Sequence, residues 1–411
     1  MTETPCQTDD PTRSPSHQAL MAVAEQAAQA LAGRSREIEA LRHLPDDIAD
    51  LLAHAGLYRL LTPAAYGGHE APPASFFLVI ERLARADAAS AWCCFISCTA
   101  SVLAAYLPAA EAHALFSPPD RKAAGVFAPR GRAVVAEQAG VAGLRITGRW
   151  AWGSGAHNAH IITAGCLLMG PGGQPELGAD GAARVISVVL GRDQVQLLDN
   201  WHSFGLCGTG SGEFEAQDAF VPLGRSASLF DAPVVNTPLY RFPVFGLLAV
   251  AIAAVATGIA RDALDSFVAQ ASRTVPQAGS KPLAAKATVQ TAVAQAEATL
   301  QSARAYLLAS MHTAWRAAQH TSPTGAAPTT ALPLDCRRDL RLAATHAVHS
   351  AAAVVNRLYT LAGGGAVFAD APLQRCLRNV QVATQHMMVS ETTYELTGRL
   401  LLGQPTQTSM L

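Results

Sequence analysis

Apolar residues recur at three- and four-residue spacing through the first quarter of the chain, with Ile48, Leu51 and Leu52 followed by Phe76, Phe77, Val79, Ile80 and Leu83. That spacing lines one face of a helix, so a helical region is expected from about Ser16 to Phe116. Pro45 followed by Asp46 and Asp47 suits a first helical turn, where proline loses no hydrogen bond and carboxylates meet the positive end of the dipole. The stretch Thr62 to Gly68, ending in paired glycines, breaks two of these helices. Between about Ala123 and Pro222 the period changes to two, as in Leu144-Arg145-Ile146-Thr147. A continuous apolar run at Val185 to Val189 and a glycine-rich turn at Gly170 to Gly173 complete the signature of a β domain. Helical patterns return at Phe242 and run to about Ser272, then over Pro282 to Gln319, Pro333 to Leu361 and Pro372 to Leu402. Thr321 to Thr330, rich in Thr, Pro and Ala, reads as a loop. No internal repeat is visible. The expected organisation is a tail over 1–16, a helical domain over 17–120, a β domain over 121–228, a helical bundle over 240–403 and a second tail over 404–411.

The chain has 411 residues, half of them apolar, which is enough for a large core. Thirty Lys and Arg balance thirty-one Asp and Glu, so no net field gathers nucleic acid, and nucleic acid is excluded as a partner. Only 15% of residues are charged, less polar surface than a monomer of this size needs, which points to an oligomer and, as a closed symmetric form, a homotetramer. The eight cysteines form no CxxC framework and most sit in apolar stretches, as expected for a reducing cytoplasm; no metal site is expected. The first sixteen residues lack an apolar segment and do not read as a secretory signal. Two uncharged stretches, Ala88 to Ala110 and Phe242 to Ala260, are long enough to cross a bilayer. Dilution by Ala, Ser, Thr, Cys, Gly or Pro and the lack of lopsided basic flanks favour helices buried in a bundle, and no membrane association is expected.

Several groups of residues carry candidate chemistry. Trp152 beside Ser154 offers a flat apolar wall and a hydroxyl, which an isoalloxazine ring needs, although a structural Trp on a strand face is the simpler alternative. Gly208-Thr209-Gly210-Ser211 offers backbone N–H groups and the hydroxyls of Thr209 and Ser211 to an anion, or is a turn. Gly363 and Gly364 permit close approach to a cofactor, or cap a helix. Arg273 and Arg375 suit a phosphate, or a solvated face.

The order of helices, β unit and long helices, together with these motifs, resembles the acyl-CoA dehydrogenase superfamily from about Ala19 to Gly403. Glu81-Arg82-Leu83-Ala84-Arg85-Ala86-Asp87 through Trp92 looks like its N-terminal signature. Gly148-Arg149-Trp150-Ala151-Trp152-Gly153-Ser154-Gly155 looks like the β segment along the flavin ring. Gly205 to Ser211 with Val221-Pro222 is similar to the second β signature. Leu361 to Gly365, Pro372-Leu373-Gln374-Arg375 and Arg378-Asn379 resemble the stretch that meets the flavin of a neighbouring subunit. The resemblance implies an α+β fold with an N-terminal helical domain, a middle β-barrel domain and a C-terminal four-helix bundle. It also implies a flavin held by Trp152, Ser154, Thr209, Ser211, Arg273, Gly363, Gly364, Gln374 and Arg375.

Dehydrogenation of an acyl thioester needs a carboxylate base. The two places where the superfamily keeps that Glu hold Ala383-Thr384-Gln385-His386-Met387-Met388 and the acid-free stretch Phe245 to Ala254. Arg273 also lacks the following Phe-Gly of many dehydrogenases. What remains looks like the two-component flavin monooxygenases of this fold, among them aromatic hydroxylases, dibenzothiophene monooxygenase and amino-sugar nitrososynthases. Ser154 and His386 match the Ser after the flavin-strand Trp and the His of the last helix that face the reactive side of the flavin there. The resemblance implies that reduced FMN or FAD from a separate flavin reductase reacts with O2 through a C4a-hydroperoxide to oxygenate a small aromatic, sulfur or amine substrate. Ser154 would hydrogen-bond near N5, and His386 would donate to the peroxide or take a substrate proton near neutral pH. Trp92 and His157 are the substrate-facing candidates, with His160 a surface-loop neighbour. The usual Arg-Asp of the last domain is here Arg378-Asn379, which leaves one orienting charge missing. The competing readings are an acyl-CoA or acyl-carrier dehydrogenase with a relocated base, and a flavin-free relative.

Overall fold

The computed structural model describes residues 14–178, 181–275, 280–321 and 332–411. Ser14 starts the first helix by accepting the His17 N–H on its side chain, and Pro15 occupies the first helical position. The N-terminal helices are α1 (Pro15–Leu31), α2 (Ser35–Leu41), α3 (Asp46–His54), α4 (Pro73–Ala86), α5 (Ala88–Ser101) and α6 (Ala109–Phe116). The expected tail therefore stops short of residue 15, and residues 1–13 lie outside the described residues. α3 begins on the Asp pair after Pro45, as the sequence implies. Asp87 separates α4 from α5 in extended backbone and caps α5 by accepting the Ser90 N–H at 2.7 Å. Every residue of α5 is buried, which accounts for its uncharged composition.

Seven strands follow: β1 (Ala123–Gln138), β2 (Val141–Trp150), β3 (Ile161–Met169), β4 (Val185–Gly191), β5 (Gln196–Leu197), β6 (Phe214–Pro222) and β7 (Ser226–Ala227). They form one mixed sheet in the order β5-β6-β2-β1-β3-β4-β7, with β1 and β3 parallel. Among the described residues no ladder joins β5 to β7, so the ladders alone do not make the expected closed barrel. Trp150 ends β2 fully buried, stacked on Phe214 at 5.1 Å and donating to the Gly165 carbonyl at 2.7 Å. Of the two tryptophans in the motif, it is Trp150 that serves the core.

The C-terminal helices are the short α7 (Pro238–Arg241), then α8 (Val244–Ala271), α9 (Ala287–His320), α10 (Leu334–Ala362), α11 (Pro372–Thr384) and α12 (Thr392–Leu401). α8 is the central helix, packed on α4, α9, α10 and α11. The two segments long and apolar enough to cross a bilayer, Ala88–Ala105 and Val244–Ala271, are thus buried inside the fold. Residues 322–330 of the expected Thr-Pro-Ala loop lie outside the described residues.

Two expectations are corrected here. The helical pattern from Pro372 to Leu402 is two helices, because side chains take up the backbone groups that a continuous helix would pair. The Met388 N–H donates to His386 Nδ1 at 3.2 Å, Arg341 holds the Met388 carbonyl at 3.0 Å, and His349 Nε2 meets the Val389 carbonyl at 3.1 Å. The segment after Gly403 is also no loose tail: Arg337 donates to the Thr408 carbonyl at 3.3 Å, Arg341 donates to the Met410 carbonyl, and Leu411 is fully buried.

Candidate functional site

Ser154, Thr209 and Ser211 lie on two loops of the β unit, joined by backbone bonds from Gly155 N–H to the Thr209 carbonyl and from Gly153 N–H to the Gly212 carbonyl, both 2.9 Å. The hydroxyls form a line. Ser154 Oγ is 2.6 Å from Ser211 Oγ, which is 2.6 Å from Thr209 Oγ1, and Thr209 donates to the Leu206 carbonyl at 2.8 Å. Trp92, from α5, enters at the other end and donates its indole N–H to Ser154 Oγ at 3.2 Å. All four side chains are buried. The loop lies tight against its neighbours: a side chain at Gly205 would run into the Arg378 carbonyl, and one at Gly208 into Ile38.

The Trp92 ring stands 6.0 Å from His386 and 4.8 Å from Phe95, the latter edge-on. Trp92 therefore links Ser154 to His386 across 232 sequence positions. His386 sits in the turn after α11 and not within the last helix as expected. Burial, and then the Arg341 guanidinium, push its imidazole down to about 4. Because Nδ1 accepts the Met388 N–H, the proton of the neutral ring is on Nε2, and the group is a donor at neutral pH. Of the two roles the sequence suggested, donor or base near neutral pH, this environment suits the donor.

Trp152 departs from the expectation of a strand-face residue. It lies beyond the end of β2 in left-handed backbone at φ 65°, with 67% of its surface exposed. Positive φ is a strained conformation for a bulky residue and here turns a large aromatic face outward beside Ser154. His157, expected at the substrate, stacks instead on His43 at 4.8 Å and 10°. Burial lowers its pKa, with His43 adding to the effect. His160 accepts the Lys122 N–H at 3.2 Å.

The remaining expected flavin contacts make, among the described residues, no hydrogen bond to Ser154, Thr209 or Ser211. Arg273 is exposed past the end of α8, its Nε on the Ala269 carbonyl at 3.3 Å. Gly363, at φ 65°, and Gly364 form an exposed turn after α10, with open space where a side chain would stand. Gln374 donates to the Ala369 carbonyl at 2.9 Å and accepts from Arg378 at 2.7 Å. Arg375 borders a small polar cleft with Ser35, Asp87 and Asp262. The charge missing at Asn379 is supplied by Glu39, which pairs with Arg378, while Asn379 accepts the Leu206 N–H at 2.8 Å and ties α11 to the hydroxyl loop. Sequence reasoning missed Glu39, Arg341 and His349. For Arg341 a signal existed, since it lies with Arg337, Leu340, Ala344 and Val348 on one face at helical spacing.

The family models for the acyl-CoA dehydrogenase N-terminal domain and C-terminal domain match residues 14–110 and 250–391. An indole-3-acetate monooxygenase of Pseudomonas putida is 32% identical over 373 residues, 90% of each chain. The flavin-dependent monooxygenase oxygenase subunit HsaA of Rhodococcus jostii is 27% identical over 92% of this chain and 97% of its own. This chain belongs to the flavin-dependent monooxygenases of the acyl-CoA dehydrogenase superfamily. Its fold also matches XiaF from a Streptomyces species, solved with FADH2 and glycerol, at a TM-score of 0.83 and 23% identity over 95% of this chain and 96% of that one. In the oxygenase the exposed aromatic face of Trp152 stands two residues from the buried hydroxyl of Ser154. Among the described residues no Asp or Glu hydrogen-bonds to Trp92, Ser154, Thr209, Ser211 or His386.

Proposed function

We propose that this oxygenase takes reduced FMN or FAD from a separate flavin reductase and places one oxygen atom of O2 on a planar aromatic substrate of the indole class. The observation that carries the reading is the junction at Trp92, which is bonded to Ser154 and packed against both His386 and Phe95. An aromatic wall between a hydroxyl and a neutral imidazole suits a flat apolar ring, and the name of the Pseudomonas putida relative supports the indole class.

Bound reduced flavin supplies the electrons that activate O2; the protein's residues supply position and protons. Ser154 and Trp152 would hold the flavin ring, the first by a hydrogen bond and the second by its aromatic face. His386 would hold the proton of its neutral ring on Nε2 and serve as a donor to oxygen in the site. Phe95 and Trp92 hold the substrate ring and exclude water. Gly363, Gly364, Gln374, Arg375 and Arg273 act across subunits in a homotetramer, a reading supported by the lack of any hydrogen bond from them to Ser154, Thr209 or Ser211 among the described residues. The seven described cysteines are all free thiols, which suits the cytoplasm.

The test supplies the protein with a flavin reductase, NADH and 18O2, and compares indole, indole-3-acetate, simple phenols and an acyl-CoA. Label from 18O2 in the indoles at rates above those of the phenols is expected. Anaerobic bleaching of bound oxidised flavin by the acyl-CoA, with no labelled product from any aromatic, overturns the reading.

A further inference from the structure

Leu206, the residue that opens the hydroxyl loop, stands in left-handed backbone at φ 49° and ψ 32°, which a residue with a Cβ adopts only where its surroundings hold it there. It is 2% exposed, and its carbonyl accepts both the Thr209 N–H at 3.0 Å and the Thr209 hydroxyl at 2.8 Å. The conformation of Leu206 therefore places Thr209 and, 2.6 Å further on, the Ser211 hydroxyl. What holds Leu206 is α11. Arg378 donates to the Phe204 carbonyl at 3.0 Å, Gly205 lies too close to the Arg378 carbonyl for any side chain, and Asn379 Oδ1 accepts the Leu206 N–H at 2.8 Å. Of the three contacts only the last falls on the strained residue.

We propose that Asn379 is a positioning residue for the oxygenase reaction: by clamping Leu206 it fixes the hydroxyl loop to the helix that carries His386, and so sets the spacing between Ser154, Ser211 and the imidazole. The inference rests on the reading of Ser154 and His386 as the groups that meet flavin and oxygen. Asn379 precedes His386 by seven residues, two turns of helix. α11 runs into the His386 turn without a break, since the Gln385 and His386 N–H groups donate to the Val382 and Ala383 carbonyls. One stiff element thus grips the loop near its middle and carries the imidazole at its end. Asn379 acts through Leu206 and needs no contact with flavin or substrate. The clamp also gives a physical reason for the departure from the Arg-Asp pattern. Asn379 borders a cleft with Asp87 and Asp262, where a carboxylate would be a third acid, and an amide oxygen accepts the same N–H without the charge.

The test follows hydrogen exchange by mass spectrometry in the flavin-free protein, and product against peroxide in turnover with a flavin reductase, for wild type, Asn379→Leu, Asn379→Ser and Asn379→Asp. Circular dichroism and melting confirm the fold of each. Asn379→Leu keeps the volume and loses the acceptor, so exchange over residues 205–211 speeds about tenfold while peptides of α8 do not change. In turnover the peroxide share rises about fivefold and kcat for product falls, with KM for indole within about twofold of wild type. Asn379→Asp keeps an acceptor and restores both readouts, which a merely space-filling role would not do. Asn379→Ser, polar but too short to reach Leu206, repeats the loss and serves if Asn379→Leu does not fold. Unchanged exchange over 205–211 in both Asn379→Leu and Asn379→Ser overturns the clamp. Faster exchange with wild-type coupling overturns its part in the reaction. Exchange needs neither flavin nor substrate, so a wild type that forms no product counts against the oxygenase reading while exchange alone still decides the clamp.

Discussion

Arg341 and His386 face each other across the turn that follows α11. The guanidinium binds the Met388 carbonyl at 3.0 Å, two residues beyond the imidazole, and its charge adds to burial in keeping that imidazole neutral. The same guanidinium holds the Met410 carbonyl, so one buried cation fixes the end of the chain and the turn that carries the candidate catalytic histidine.

Replacing Arg341 with Met leaves the Met388 and Met410 carbonyls without their partner. A loss of about 1–3 kcal/mol is expected from buried groups left unsatisfied. The C-terminal segment is released as well, so urea melts should show the lower stability and limited proteolysis should cut near residue 404 in the variant but not in the wild type. With the charge gone, the His386 pKa rises from about 4 towards the ordinary histidine value, which NMR titration of the ring reads directly.

Acid sensitivity follows from the same imidazole. Its folded-state pKa of about 4 lies below the ordinary 6.5, so between those values the unfolded chain binds a proton that the folded chain refuses. Stability from this group is complete above pH 6.5, declines as pH falls through that window, and changes no further below about 4. His386→Asn should flatten this part of the pH profile, so the stability gap between variant and wild type changes between pH 6.5 and 4.5 and stays constant from 7 to 8. Urea midpoints across that range measure it, and a parallel pair of profiles refutes it.

His386→Ala should fold, because one imbedded imidazole contributes only about 1–2 kcal/mol, and should still consume reduced flavin and O2. Oxygen use and product formation separate, with hydrogen peroxide replacing product at least tenfold. A peroxide assay beside product chromatography measures the coupling, and a wild-type yield removes His386 from the mechanism.

The two tryptophans of the β2 motif should respond in opposite ways. Trp150→Ala empties a fully buried site and costs about 3–5 kcal/mol. Trp152→Ala, at a residue 67% exposed, leaves the melting temperature within a degree or two yet weakens reduced-flavin binding about tenfold or more. Thermal melts and anaerobic flavin titration of both variants separate the roles; equal loss of stability in the two contradicts the assignment.

Periodicity determined most of the architecture. The three-and-four spacing of Phe76 to Leu83, the alternation around Leu144 and the run from Phe242 each report one element, and each depends only on residues close in the chain. The motif around Trp152 and Ser154 and the missing glutamate at 383–388 likewise carried the flavin monooxygenase reading, since residue type at a motif position is local information. Folding decided what depends on distance and dielectric. Two tryptophans two residues apart read alike until the packing of Phe214 made one core and left the other outside. His386 read as a donor or as a base near neutral pH, and the choice stayed open because nothing nearby in sequence announces Arg341, 45 positions upstream, or the burial that removes water from the ring. The line of hydroxyls is the extreme case. Ser154, Ser211 and Thr209 lie on two loops, and only the fold sets them within hydrogen-bond distance of one another and of a tryptophan from α5. Which loops meet is a property of the packed chain, and linear sequence holds no record of it.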